Sequence, residues 1–334
     1  MSSTDQPPAK RKRAEDPSAE SAAPIPQVRS IVWYDDGNII LQAQDTLFKV
    51  HKGILAQNSS VFQDMFSLPQ PPSVDTDLVE GCPVVQLSDT AEEVECVLQA
   101  ICQREYVCFE ELSTLPVISA FVRLGTKYDI PKLRIEGQRK IFKGFSTELD
   151  GPGTDGQSPW LFVKVPETWF DLVIFARTTG LLSILPIALY VCCQGYTTSE
   201  ITEGIKRKDG TIVSLSGQDK LACLAGYQAI CKAQAETTFS WAYTKPPPDE
   251  CSDPTRCMFF RDQYLKLDFT SLPAIAGLDH FDKLGFCRTN LCSLCDPRSE
   301  EMHNTGRKAF WALLPSLFGL PPWEELCKER EDVK

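Results

Sequence analysis

The apolar pattern changes period abruptly near residue 51, and this switch limits the possible folds more than any other feature. Upstream, Ile31-Val32-Trp33-Tyr34, Ile39–Ala43 and Leu47–Val50 are short runs of strand-forming residues. Asp35-Asp36-Gly37-Asn38 and Gln44-Asp45-Thr46 separate them with turn chemistry. The last two runs therefore read as a hairpin, with Phe48 and Val50 on one face. Downstream, Ile54, Leu55, Val61, Phe62, Met65 and Phe66 carry helical i, i+3, i+4 spacing. Asn58-Ser59-Ser60 interrupts them, which predicts two short helices, the second capped by Ser59 or Ser60.

The alternation continues. Leu68 to Gly81 reads as a Pro- and acid-rich loop, and Pro83–Leu87 as a further strand. Thr90-Ala-Glu-Glu93 is a capping box opening a helix with Val94, Val97, Leu98 and Ile101 on its apolar face. Leu115–Tyr128 is a second long helix, and Pro131 starts a third that runs to about Phe142. Residues 146–160 are dense in Gly, Pro, Ser and Asp and read as a linker. Beyond them, Thr168–Thr179, Leu181–Cys193 and Leu221–Trp241 are helical in pattern. Lys206-Arg207-Lys208 reads as a turn between helices. The apolar, aromatic stretch from Phe310 to Leu326 is expected to dock as a helix and turn. The fold class is thus an α+β amino-terminal domain, a small sheet flanked by helices, over 28–145. A mainly α-helical domain follows over 161–334.

Charge and composition remove several functions. The chain has 334 residues, 34 Lys or Arg against 45 Asp or Glu, and a formal net charge of −11. Such a field repels nucleic acid, so no direct nucleic-acid partner is expected. Gly180–Cys193 is the longest apolar stretch, interrupted by Ser183 and Pro186, and too short for a membrane span. The first residues lack the apolar core of a signal peptide, which predicts an intracellular chain with reduced thiols. Only three histidines exist, His51, His280 and His303. No cysteine has a local nucleophile setting. Gly151-Pro-Gly-Thr-Asp-Gly156 lacks the Lys of a phosphate loop. The expectation is no enzyme, no cofactor and no small-molecule substrate.

Residues 1–27 are rich in Pro, Ser, Ala and charge, and they lack a periodic apolar pattern. Within them Lys10, Arg11, Lys12 and Arg13 form a basic island that fits a nuclear import signal. The location expected is nuclear, cytoplasmic or both. Among 14 cysteines, Cys292-x2-Cys295 has the spacing of half a zinc site. Cys251, Cys257, Cys287, His280 and His303 could complete it, yet Cys251-x5-Cys257 is looser than a usual knuckle. Ordinary buried or surface thiols and no metal are therefore expected.

The segment Asp36-Gly-Asn-Ile39…Phe48-Lys-Val-His51-Lys52-Gly-Ile-Leu55…Phe62-Gln-Asp-Met65-Phe66 resembles the opening of the BTB/POZ domain. Val84-Val-Gln-Leu87-Ser-Asp89 and Leu124-Gly-Thr-Lys127-Tyr128-Asp129-Ile130 are similar to its later strand and closing helices. The resemblance implies a protein-binding domain that homodimerises. It further implies that Asp36, with Asp35 as an alternative, pairs with Lys52 beside His51 at the dimer floor. Some members recruit a cullin scaffold as ubiquitin-ligase adaptors through an apolar-x-Glu triplet, and Leu78-Val79-Glu80 stands at that place. The alternative is a nuclear scaffold or a transcriptional corepressor-type regulator. Cys292-Ser-Leu-Cys295 and the ending Phe310-Trp…Pro-Pro-Trp323 resemble regions accompanying BTB domains in mushroom-forming fungi.

Overall fold

Residues 39–50 form the hairpin at the centre of the first sheet. Strands β2 (Ile39–Ala43) and β3 (Thr46–Val50) run antiparallel, with Ile39 opposite Val50 and Leu41 opposite Phe48. Gln44 turns the chain at φ +53°. Strand β1 (Val28–Trp33) adds parallel to β3. The computed structural model describes residues 27–68, 78–103, 113–150, 163–164, 168–244, 251–269, 274–284 and 290–333. The Lys10–Arg13 island, Cys108 and Cys287 lie outside them.

Helices α1 (Lys52–Asn58) and α2 (Ser60–Ser67) follow as the spacing predicts. Ser59 is the cap, its hydroxyl accepting from the Phe62 backbone N–H at 3.0 Å. Strands β4 (Leu78–Val79) and β5 (Cys82–Leu87) then form a second hairpin. This departs from the sequence reading, in which residues 78–81 belonged to a loop. The chain turns at Glu80 and Gly81, both left-handed at φ +52° and +75°, a backbone that pattern rules assign readily only to Gly and Asn. The finished sheet has the order β1-β3-β2-β5-β4, so β1 and β4 are its edges.

Alternation along β2 and β3 sends the two faces to different environments. Ile39, Leu41, Ala43, Phe48 and Val50 enter the main core of this half. Ile40 and Leu47 pack on the other face with Cys82, Trp33, Val79 and Val84. Helix α3 (Ala91–Leu98) covers the main core, capped by Thr90, which accepts from the Glu93 N–H at 3.3 Å.

Helix α4 (Leu115–Lys127) serves two cores. Val117, Ala120, Phe121 and Leu124 face the sheet. Leu115, Ile118 and Val122 face the second half, where they join Ile141 and Phe145 of and just beyond α5 (Pro131–Gly144). A short parallel pairing of β6 (Ser113–Thr114) with β7 (Val163–Lys164) also links the halves.

The second half is built from α6 (Trp169–Thr179), α7 (Leu185–Gly195), α8 (Thr198–Glu203), α9 (Gly217–Glu236), α10 (Ser240–Tyr243), α11 (Pro254–Phe269), α12 (Cys295–Leu317) and α13 (Trp323–Leu326). Lys206–Lys208 sits not in a plain helix–helix turn but in a small hairpin of β8 (Ile205–Lys206) and β9 (Ile212–Val213). The carboxy-terminal aromatic stretch docks as expected, with Trp311 stacked on Trp323 at 4.7 Å.

It also reaches the first half. A 3-10 turn, Cys327–Val333, lays Arg330 against α5. Its guanidinium donates to the Phe145 carbonyl at 2.7 Å and to Ser183 Oγ at 2.8 Å. Neighbouring Glu329 accepts from the backbone N–H groups of Leu182 and Ser183, each at 2.8 Å. Among the described residues, no helix is long and apolar enough to cross a membrane.

Candidate functional site

Both edges of the first sheet expose apolar side chains. On β1, Val28 and Ile31 are 55% and 72% exposed, and on β4 Leu78 is 62% exposed. Edge strands already present unpaired backbone N–H and C=O groups. The apolar residues add a hydrophobic surface to that hydrogen-bonding rail.

The residues expected at a dimer floor, Asp36, His51 and Lys52, lie close together within the chain. Asp36, itself open to solvent, places Oδ1 3.4 Å from His51 Nε2. Lys52 instead carries its ammonium 5.9 Å above the Phe66 ring, and its backbone N–H donates to Asn38 Oδ1 at 2.8 Å. Within one chain the near neighbour of Asp36 is thus His51 rather than Lys52. Lys52 opens α1 and its side chain runs towards α2, whereas His51 precedes the helix and faces the turn. The Tyr34 ring, 5.3 Å from that of His51, packs beside it.

The triplet Leu78-Val79-Glu80 divides. Leu78 faces outward, while Glu80 folds back over the outer face of the sheet. Its carboxylate accepts from Lys49 Nζ at 3.1 Å and pairs with Arg29 of β1. Lys49 is buried and also donates to the Asp35 carbonyl at 2.9 Å. Trp33 completes the cluster, with the Arg29 guanidinium 4.6 Å above its ring. Sequence reasoning missed this group because Glu80 and Arg29 are 51 residues apart.

A cavity of about 700 Å³ opens between α4 and α6. Arg123, Asp171 and Arg207 stand on its wall. Each charge is already engaged, Arg123 with Glu93 and Arg207 with Asp171.

A second constellation lies in the helical half. The sulfurs of Cys251, Cys257, Cys292 and Cys295 all fall within 4.8 Å of one another. Cys251 and Cys257 flank the start of α11, while Cys292 and Cys295 flank the start of α12. The x5 gap that looked too loose is spanned by the first turn of α11, which brings Cys257 back beside Cys251. Burial opposes ionisation of Cys292. Hydrogen bonds donated by the Cys295 backbone and by Ser252 outweigh it and bring the thiol down to about 5. Burial, then hydrogen bonding with Cys251, pushes Cys295 up.

The two nearby histidines are occupied elsewhere. His303 accepts at Nδ1 from Trp241 Nε1 at 3.2 Å, and its Nε2 lies 2.8 Å from the Asp279 carbonyl. His280 stands 3.6 Å from Asp150 and 3.4 Å from Arg307. By contrast Cys192, Cys193 and Cys223 are buried together in the aliphatic core, where Cys193 Sγ donates to the Cys223 carbonyl at 3.4 Å and the thiols otherwise pack as small apolar groups.

Neither a curated protein nor a solved structure matches the chain. The BTB/POZ domain profile matches residues 35–106. With the edge-exposed sheet, the two short helices and the capped α3 already in place, the amino-terminal half of this chain carries a BTB/POZ domain, a protein–protein interaction module.

Proposed function

We propose that the chain is a non-catalytic interaction protein that homodimerises through its BTB/POZ domain and holds a further protein on its helical half. The observation that carries the reading is the apolar edge strand β1, with Val28 and Ile31 turned to solvent. An exposed edge of this kind recruits a strand or an apolar face from another chain. Asp36, His51 and Lys52 lie beside this region and would set register across the dimer more than its stability, because desolvation offsets charge attraction.

The finer proposal is a substrate adaptor for a cullin-based ubiquitin ligase, with Leu78 as the apolar anchor. Because Glu80 is engaged by Lys49 and Arg29, Leu78 must supply most of the recognition. That same engagement favours the second reading, a nuclear scaffold or corepressor-type regulator, imported through Lys10–Arg13. Capture of the full chain by a cullin amino-terminal domain separates the two. The adaptor reading expects capture by wild type and its loss in Leu78→Asp. Equal retention of both, or of neither, leaves the scaffold reading. Co-purification of two differently tagged copies tests the homodimer, and failure of the second tagged copy to co-elute with the first removes it.

A further inference from the structure

We propose that Cys251, Cys257, Cys292 and Cys295 form a structural zinc site that joins the starts of α11 and α12. The geometry suits one ion. A tetrahedral zinc with bonds of about 2.3 Å to sulfur sets its ligands about 3.8 Å apart. Here Cys251 Sγ lies 3.7 Å from Cys292 Sγ and 3.5 Å from Cys295 Sγ. These separations are far beyond the roughly 2.05 Å of a disulfide. Four sulfurs held within 4.8 Å of one another enclose a single ion and leave no room for a polynuclear iron–sulfur core.

The surroundings fit a closed site. The Cys295 backbone N–H points to Cys292 Sγ at 3.4 Å, and the Cys292 N–H to Cys257 Sγ at 3.3 Å. Such N–H···S contacts orient thiolate ligands from the outer shell. Phe239, Trp241, Tyr264, Phe281 and Leu291 wall the cluster with apolar surface. Four thiolates around a divalent ion carry two net negative charges. One turn along α11 from Cys257, the buried Arg261 guanidinium donates to the Thr244 carbonyl at 2.7 Å and to Ser299 Oγ at 3.1 Å, beside the same aromatic wall.

The chemistry follows from the donor set. Four soft sulfur donors in a tetrahedron select zinc over hard cations. With every position filled by protein there is no open site for water or substrate, so the ion is structural and not catalytic. Each sulfur binds as a thiolate and gives its proton to solvent. The ion closes a chain segment 41 residues long between Cys251 and Cys292. Its effect is to pin the small aromatic core that the α11 and α12 starts share with α10. This inference does not depend on the dimer or adaptor readings.

The test is metal analysis of the full chain purified under reducing conditions without chelator, alongside Cys292→Ser/Cys295→Ser and Cys231→Ser variants. Wild type and Cys231→Ser are expected to carry one zinc per chain, and the double variant less than a tenth of that. Replacing zinc by cobalt in wild type is expected to give the intense visible absorption of tetrahedral cobalt thiolate. This keeps the proposal open to refutation even where the double variant does not fold. Iron in place of zinc, zinc retained in the double variant, or a cobalt spectrum without thiolate bands would each overturn the proposal. So would the absence of metal in wild type after reconstitution with zinc.

Discussion

Glu80 Oε2 lies 3.1 Å from Nζ of Lys49, a side chain only 9% exposed. The carboxylate that reads from sequence as an outward recognition charge is thus the counter-charge of a buried lysine. Glu80→Gln keeps the shape and an acceptor but removes the charge, leaving the buried Lys49 ammonium with neutral acceptors only. Urea unfolding of the full chain should show a loss of about 1–3 kcal/mol. An unchanged midpoint would mean that the Glu80–Lys49 pair contributes nothing net.

Gly306 sits where α12 crosses the chain beyond α9. A Cβ there would approach the Thr237 carbonyl oxygen to 2.3 Å, and backbone cannot step aside as a side chain can. Gly306→Ala should destabilise by about 1–3 kcal/mol or more, the range for overpacking. Thermal unfolding checks this. Gly53, with nothing near its added Cβ, is the matched control.

Arg330 ties the carboxy-terminal turn to both halves through Phe145 and Ser183, and its guanidinium stacks 4.4 Å above the Phe142 ring. Arg330→Ala should cost about 2 kcal/mol, since half-buried charged hydrogen bonds and packing are lost together. Hydrogen exchange should rise in both α5 and the Leu182–Ile184 turn. A rise confined to residues 327–333 would show that the turn does not couple the halves.

His303 predicts an acid-sensitive stability. Burial first, opposed by its bond to the Asp279 carbonyl, holds the imidazole down to about 4, against an ordinary 6.5. Arg307 and His280 face it with like charge and Asp279 with opposite charge. The unfolded chain binds the extra proton, so the contribution is whole above pH 6.5 and is lost as pH falls through about 4. Between pH 7 and pH 5 the loss should be about 2 kcal/mol. Subtracting the same measurement on His303→Gln isolates the imidazole from other acid-sensitive groups, and an equal pH response in both would refute its role.

Much of the amino-terminal half could be read from local pattern. The β2–β3 hairpin, the Ser59 and Thr90 caps and the helices opened by Leu115 and Pro131 all rest on neighbours within a few residues, where period and capping chemistry act. Long-range partnerships could not be read this way. The apolar residues of α4 show as one helical set in sequence, but Phe121 and Ile118 belong to different cores. Period reveals that a helix is buried, not by how many neighbours. Glu80 adopts a left-handed backbone that residue preference assigns to glycine, so the turn before Gly81 was hidden. Cys251 and Cys257 are named in the sequence, but their spacing argues against a shared site because a helical first turn, rather than a tight knuckle, brings their sulfurs together. Within the chain Asp36 neighbours His51 rather than Lys52, because the start of α1 turns the two side chains apart.

The central claim is that the exposed surface of the first sheet, and not a pocket, is the working part. Sedimentation equilibrium of the full chain across the micromolar range tests it most directly, with Ile31→Asp beside wild type. The expected result is a wild-type mass of twice the 37.3 kDa chain and a shift of Ile31→Asp towards the single-chain mass. A wild type that stays at 37.3 kDa throughout would contradict it.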